Sequence, residues 1–250
     1  MTRQADKLMR KASEHFSRRR TQEAYDAYGE AIARYGVPEG PERLRPALAH
    51  YTRAMLVLMG DAVGDVEADI EAGAALVAEG SEPEVRRFRG LFHHQRGVHL
   101  ARAEALEEAR TEFRRARPLL EECGRPTDVV ELERELALLL SEIGEPELAR
   151  EAAERAIRAA VGVIPLLVRA RRTLAEVMET AGDLEGALSA LGSAYGGAVG
   201  TQFVPLRIEI EEQIDALRRR HDLPAGPTEP APEEPDDEES KPEETPPAAS

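Results

Sequence analysis

The chain has 250 residues, one cysteine, no tryptophan and a formal net charge of −15 at pH 7. The single thiol, Cys123, excludes an intrachain disulfide framework, and an aromatic content of 4% argues against a strand-rich core. Ala, Leu, Arg and Glu dominate, all strong helix formers, so the expected class is all-α. No window approaches the roughly 18 consecutive apolar residues of a membrane span. The charged stretch Met1 to Arg20 also lacks the apolar run of about 7–15 residues that a signal peptide needs. The expected location is therefore cytoplasmic.

Taken in chain order, turn residues divide the body into helix pairs. The first pair runs from about Ala5 to Arg18 and from about Gln22 to Tyr35, closed by Gly36 and Pro38. The second begins near Pro41 and breaks at Gly60, with Asp65 placed to cap its second helix. Ser81-Glu82-Pro83-Glu84 has the spacing of a capping box with Pro in the first turn, and opens the third pair. That pair breaks at Ala101 to Ala103 and ends at Cys123-Gly124-Arg125-Pro126. Pro118 falls inside its second helix, which it should kink or end early. Thr127 is placed to cap the fourth pair, whose internal turn is Gly144-Glu145-Pro146. The fifth starts at Pro165, turns at Gly182-Asp183 and ends at Gly196-Gly197-Ala198-Val199-Gly200. This glycine-rich stretch reads as a flexible turn, since it follows a helix and lacks the Lys-Ser/Thr end of a P-loop.

A last amphipathic helix, about Gln202 to Arg220, turns Ile208, Ile210, Ile214 and Leu217 inward and has no partner helix, as expected of a terminal cap. Residues 224–250 hold eight prolines, nine acids and one base, a net charge of −8. The remaining 39 acids and 32 bases give −7 for residues 1–223. Repeated proline without apolar periodicity predicts a disordered acidic tail. The expected organisation is a helical domain over 1–223 and a tail over 224–250.

One spacing recurs through the body. Ala24, Tyr28 and Ala31 have the small, bulky, small pattern of Ala109, Phe113 and Ala116. The frame returns at Ala149, Ala153 and Ala156 and at Ala187, Leu191 and Ala194, with a weaker copy at Val66, Ile70 and Gly73. First positions at 24, 66, 109, 149 and 187 are separated by 42, 43, 40 and 38 residues. Self-similarity at such periods signals a stacked array. The frames resemble the tetratricopeptide repeat (TPR), a helix-turn-helix unit of about 34 residues. Ala12, Gly97, Ala137 and Ala175 take the further small position in the first helix of repeats one, three, four and five. The consensus Trp and Tyr of the first helix are absent, and the longer steps imply longer helices or loops. The resemblance implies a right-handed α-solenoid of about five antiparallel helix pairs plus a C-terminal capping helix and the disordered tail.

In that family the first helix of each pair lines a concave groove that holds a peptide or amphipathic helix of another protein. Carried over residue by residue, the groove takes Met9 and Phe16, then Tyr51, Met55, Leu58 and Met59, then Leu91, His94 and Val98. Glu131, Arg134 and Leu138 follow, and Arg169, Arg172, Glu176 and Glu179 complete it. Met9, Tyr51, Met55, Met59, Leu91, His94, Val98, Arg134, Leu138 and Arg172 are the candidate partner-binding residues. The lining grades from Met-rich and adaptable to charged. Tyr51, Met55 and Leu58 at helical spacing are more often plain core between neighbouring helices than a binding stripe. Met9, Ser13, Thr52, Leu91 and Gln95 stand where some relatives carry Lys and Asn for a C-terminal carboxylate, so that kind of clamp is missing.

A second reading uses charge. Residues 1–20 hold seven bases and two acids, and Arg86, Arg87, Arg89 and Arg96 form another basic stretch. These could serve a ligand- or nucleic-acid-associated regulator gated by the acidic tail, although the stacking aromatics of single-strand readers are scarce. Self-association through an uncapped end is a third route. No catalytic constellation appears. His93, His94 and His99 lack metal-chelating spacing on one helix face, the many carboxylates fit exposed i, i+4 pairs with Arg, and no cofactor motif is present.

Overall fold

The computed structural model describes residues 2–36, 40–199 and 204–224. Among them are eleven α-helices and no strand: α1 (Thr2–Ser17), α2 (Thr21–Tyr35), α3 (Leu44–Leu58), α4 (Val66–Leu76), α5 (Pro83–Arg102), α6 (Leu106–Cys123), α7 (Pro126–Glu142), α8 (Pro146–Ala159), α9 (Ile164–Thr180), α10 (Leu184–Ala198) and α11 (Val204–Arg220). Each odd helix from α1 to α9 packs antiparallel against the even helix that follows it. Each even helix also touches the next odd one. Along the array α3, α5, α7 and α9 meet one another in sequence, without comparable contacts between even helices, which places the odd helices in the inner layer. The result is an α-solenoid of five helix pairs, with α11 packed on α10 as an unpaired sixth inner helix.

The small residues of the frame explain the pairing. Ala12, Ala24, Tyr28 and Ala31 are all buried, as are Gly97, Ala109, Phe113 and Ala116. The same holds for Ala137, Ala149, Ala153 and Ala156 and for Ala175, Ala187, Leu191 and Ala194. A Cβ on Gly97 would lie 2.8 Å from the Phe113 ring, so only hydrogen lets α5 approach α6 here. In the weaker second copy Ile70 is buried, and a Cβ on Gly73 would overlap the Phe92 ring across the α4–α5 boundary. The long steps come from the residues between α2 and α3, the Met59–Asp65 connection, and an α5 of 20 residues.

The expected cap at Asp65 forms, its side chain accepting from the Ala68 N–H at 3.0 Å, and Asp183, read from the sequence only as a turn residue, caps α10 by accepting from the Gly186 N–H at 2.9 Å. Several expectations are corrected. The capping box at Ser81 does not form. Glu82 is the N-cap without a side-chain hydrogen bond, and its carboxylate faces Arg43 at 3.7 Å. Thr127 lies inside the first turn of α7, and the capping bond comes from Asp128, which accepts the Arg125 N–H at 2.9 Å. Pro118 does not end α6, which continues to Cys123. Pro118 is exposed, so water can satisfy the carbonyl that loses its donor. Gly196 and Gly197 are helical rather than a turn, because α10 runs on to bury Ala194 and Ala198 against Val168 and Ile210. On α11, Ile210 and Leu217 are buried and Ile214 is half-buried, but Ile208 is 50% exposed. Residues two apart on a helix point nearly opposite ways, so Ile208 and Ile210 cannot share a face. Pro38, Gly200, Gln202 and residues 225–250 lie outside the described residues.

The carboxylates give the largest correction. Pairs at i, i+4 are few, Glu151–Arg155 and Glu154–Arg158, both at the long end of ion-pair range. The stronger pairs cross between helices. Fully buried Glu133 on α7 accepts from Arg117 Nε at 2.6 Å on α6 and from Arg155 Nε at 2.9 Å on α8. Buried Asp69 on α4 accepts from the Tyr25 hydroxyl at 3.2 Å, lies 2.8 Å from His50 Nδ1, and pairs with Arg53 at 3.3 Å. Buried Glu112 on α6 meets His93 Nδ1 and Arg115, each at 2.6 Å. Arg110 and Arg150 stand at the same repeat position. They pair with acids at the start of the next even helix, Glu145 at 2.8 Å and Asp183 at 2.7 Å.

Three substitutions test this packing through thermal unfolding followed by circular dichroism. Gly97→Ala adds about 1 kcal/mol of helix propensity but forces an overpacking cost of about 1–3 kcal/mol, so its melting temperature falls. Gly192 sits in α10 with nothing within 4 Å of its would-be Cβ, so Gly192→Ala raises the melting temperature by an amount matching about 0.5–1 kcal/mol. Glu133→Gln leaves two arginines without their shared carboxylate and destabilises by about 2–4 kcal/mol. A second change, Arg155→Gln, then costs less in that background than alone. Additive effects would show that Glu133 and Arg155 are energetically independent.

Candidate partner-binding site

The ten candidate residues lie on inner helices or their ends and divide into three clefts and an inter-helix seam. At the C-terminal end, α7, α9 and α11 enclose a cleft of about 440 Å3. Arg134 and Arg172 line it together with Arg169, Thr173, Glu176 and Glu179. Leu191 of α10 and Leu217 of α11 form part of its apolar lining, and Gln213 and Arg220 close it from α11. Its charges are tied to carboxylates. Arg134 donates through Nε to the Thr173 hydroxyl at 2.9 Å and through Nη1 to Glu131 at 2.6 Å. Arg169 pairs with the same Glu131 at 2.7 Å, and Arg172 with Glu209 at 3.2 Å. Arg220 grips both oxygens of Glu179, and His221 adds a third contact at 2.9 Å. The Arg220 hydrogen bond holds the Glu179 carboxyl below its usual range. These guanidinium groups keep free N–H edges, because each has five donors and spends only some of them on these bonds.

In the middle of the array, Val98 and Leu138 line a second cleft of about 330 Å3 beside Phe113, Arg102 and Glu135. Burial raises the Glu135 carboxyl above its ordinary range, with the Arg134 charge opposing. At the N-terminal end, half-buried Met9 lines a third hollow, of about 450 Å3, with residues of α1, Tyr35 of α2 and Arg45 of α3.

The remaining candidates sit in or beside the seam between α3 and α5. Tyr51 is half-buried, edge-on to Phe88 and Phe92 at centroid distances of 6.3 and 6.2 Å. Its backbone carbonyl accepts from Gln95 Nε2 at 2.8 Å. Burial pushes its phenol up to about 12. Met55 is half-buried and Met59, at the end of α3, is 61% exposed. Leu91 and His94 are buried. The His94 ring lies 5.8 Å from the Phe113 ring, and its Nε2 has no hydrogen-bond partner among the described residues. Burial holds that imidazole down at about 4, so it is neutral at pH 7.

The contribution of α11 to the C-terminal cleft was not read from the sequence. The available signal was the basic end Arg218-Arg219-Arg220 on a helix placed sixth in the inner layer. The two basic stretches also separate. Arg86 pairs with Glu122, Arg87 with Asp128 at 2.6 Å and Glu84 at 2.8 Å, and Arg89 donates to the carbonyls of Val77 and Gly80 at 3.0 Å each. Among the described residues the bases of residues 3–20 form no such ion pair or side-chain hydrogen bond. Among the described residues no three His, Cys, Asp or Glu side chains converge as a metal site would need, and no helix is long and apolar enough to cross a membrane.

No family model and no curated protein matches the sequence. Among solved structures the chain is similar to a thermophilic TPR protein of Thermus thermophilus, at 19% sequence identity and a TM-score of 0.56. The alignment covers 83% of this chain and 97% of that one. At that identity the likeness speaks to fold, and the fold it shares is the α-solenoid of helix pairs described above.

Proposed function

We propose that the chain is a non-catalytic adaptor of the TPR type. In this reading residues 1–223 act as one binding unit whose inner face holds a helix or extended segment of another protein. The observation that carries this reading is the C-terminal cleft. Three successive inner helices converge four arginines and two glutamates around a floor that includes Ala175, Leu191 and Leu217. Partly engaged guanidinium groups over a small apolar floor suit a peptide that presents a carboxylate or backbone carbonyls beside one apolar side chain. Val98 and Leu138 in the middle cleft and Met55 and Met59 on α3 offer apolar contacts farther along the same layer. Unbranched methionines there would accept varied side chains.

The test has two stages. A partner is first captured from host lysate on the full-length protein and its bound segment mapped to a peptide. Arg169→Ala and Arg172→Ala are each expected to weaken that peptide about tenfold, the cost of losing a moderate interface contact. Arg158→Ala is expected to leave affinity unchanged, because Arg158 lies on α8 and pairs only within its own helix. Equal affinity for all three variants would move the binding site off the inner face.

A further inference from the structure

The bases at the start of the chain differ from those of the inner layer. Arg3, Lys7, Arg10 and Lys11 on α1, and the Arg18-Arg19-Arg20 run after it, are all exposed. None of the seven forms an ion pair or a side-chain hydrogen bond among the described residues, whereas the arginines of the C-terminal cleft each face a carboxylate. The two acids of this stretch offset them only in part, since Asp6 feels the charge of nearby Arg10. Asp6 is occupied by the Tyr35 hydroxyl at 2.8 Å and Arg45 at 2.6 Å, and Glu14 is a single exposed charge. Arg3, Lys7 and Arg10 face a hollow of about 450 Å3 that also holds Met9. The surface is concave and positively charged.

We propose that this hollow and the adjoining face of α1 are the docking surface for the chain's own acidic segment, residues 225–250. Charge complementarity is the first argument. That segment carries nine acids and one base against seven bases and two acids in residues 1–20. The rest of the chain is acidic in sum, since residues 21–224 hold 37 acids and 25 bases. Reach is the second. The described chain ends at Pro224, just beyond α11. A chain of 26 residues spans at most about 90 Å. The five helix-to-helix steps from α11 back to α1 along the inner layer, at about 8–10 Å each, total about 40–50 Å. The tether is the third. A segment joined to its site has an effective concentration in the millimolar range, which favours docking within one chain over docking between copies.

The cleft beside Arg220 is nearer but less attractive to a highly acidic segment, because Glu131, Glu179 and Glu209 lower the net positive charge around its partly engaged arginines. Contacts between exposed charges are screened beyond about 8 Å at physiological salt. The docked segment is therefore held weakly and can be displaced. An acidic partner of the N-terminal end must compete with it, which makes the segment a built-in competitor at that surface. The inference does not depend on the C-terminal cleft binding anything.

The sequence supplies an unusually clean test. Its lysines are Lys7, Lys11 and Lys241 alone. Zero-length carbodiimide coupling of carboxylates to amines thus has two side-chain acceptors on α1 and none elsewhere in the helical body. Full-length protein, mixed as 15N-labelled and unlabelled chains, is coupled in low salt and again near 1 M salt, where the Debye length is about 3 Å. Mass spectrometry is expected to find Lys7 or Lys11 joined to acids between Glu229 and Glu244, in peptides of one isotopic label, with loss of these products at high salt. The variant Arg3→Glu/Arg10→Glu/Arg18→Glu keeps both lysines and is expected to lower the yield at least fivefold while its circular dichroism stays unchanged. Coupling of Lys7 and Lys11 only to Asp6, Glu14 or other body acids would overturn the proposal. So would undiminished tail coupling in the variant. Products that mix the two labels would overturn docking within one chain and indicate docking between copies.

Discussion

Everything in this molecule rests on how closely two helices of a pair can approach. Ordinary side chains hold helix axes about 8–10 Å apart, and the inner end of that range needs alanine or glycine on one side. Gly97 facing Phe113 shows the constraint at its limit, with 2.8 Å between a would-be Cβ and the ring. Elsewhere Ala12 works with Tyr28 and Ala175 with Leu191 in the same small-against-bulky sense, while Ala137 and Ala153 are small on both sides. Because each pair closes on its own short-range contacts, the array can accept connections of different length between pairs. That tolerance is how steps of 38 to 43 residues coexist with one packing scheme.

Apolar contact continues from one pair to the next, as where Tyr51 of α3 meets Phe88 and Phe92 of α5. Buried charge adds a second, directional link between pairs. Glu133 on α7 joins α6 and α8, Asp69 on α4 joins α2 and α3, and the Arg110–Glu145 and Arg150–Asp183 bridges repeat one link between successive even helices. Burial gives these pairs direction as much as strength. A buried carboxylate must be satisfied, so a slip by one residue would strand Glu133 without donors and is penalised far more than an exposed pair would be. The aligned ion pairs thus act on register, and apolar contact supplies the bulk of the stability.

This division explains what was legible in the sequence. A small residue needed for close approach is visible from its spacing alone, so the frame, the five pairs and the cap at Asp65 could be read, whereas Asp183 was read only as a turn residue. Where two partners compete for a position, sequence spacing could not choose. Glu82 turned to Arg43, and Asp128 capped α7 in place of Thr127. The carboxylates were misassigned for a related reason: a Glu four residues from an Arg on the same helix looks paired, yet the lower-energy partner lay on a neighbouring helix. For the binding residues, the frame found the correct helices but not the exposure of each side chain. Leu91 and His94 are carried into the core by an α5 of 20 residues, long enough to pack along α6, while Arg134 and Arg172 stand free enough to line a cleft.

The two ends of the array are finished differently, and the difference is electrostatic. At the C-terminal end α11 seats Ile210 and Leu217 on the preceding pair, and Arg220 and His221 bond Glu179 of α9, so the last inner helix is tied back to the one before it. At the N-terminal end α1 is anchored by Ala5, Ala12 and the Asp6 contacts to Tyr35 and Arg45, and its exposed face carries lysines and arginines that form no ion pair among the described residues. Like charge on that face disfavours contact between two copies through it. The same surface is attractive to any acidic chain. In a protein whose net charge is −15, the basic stretch of residues 1–20 and the acidic sequence of residues 225–250 carry opposite charge, an attraction that salt screens.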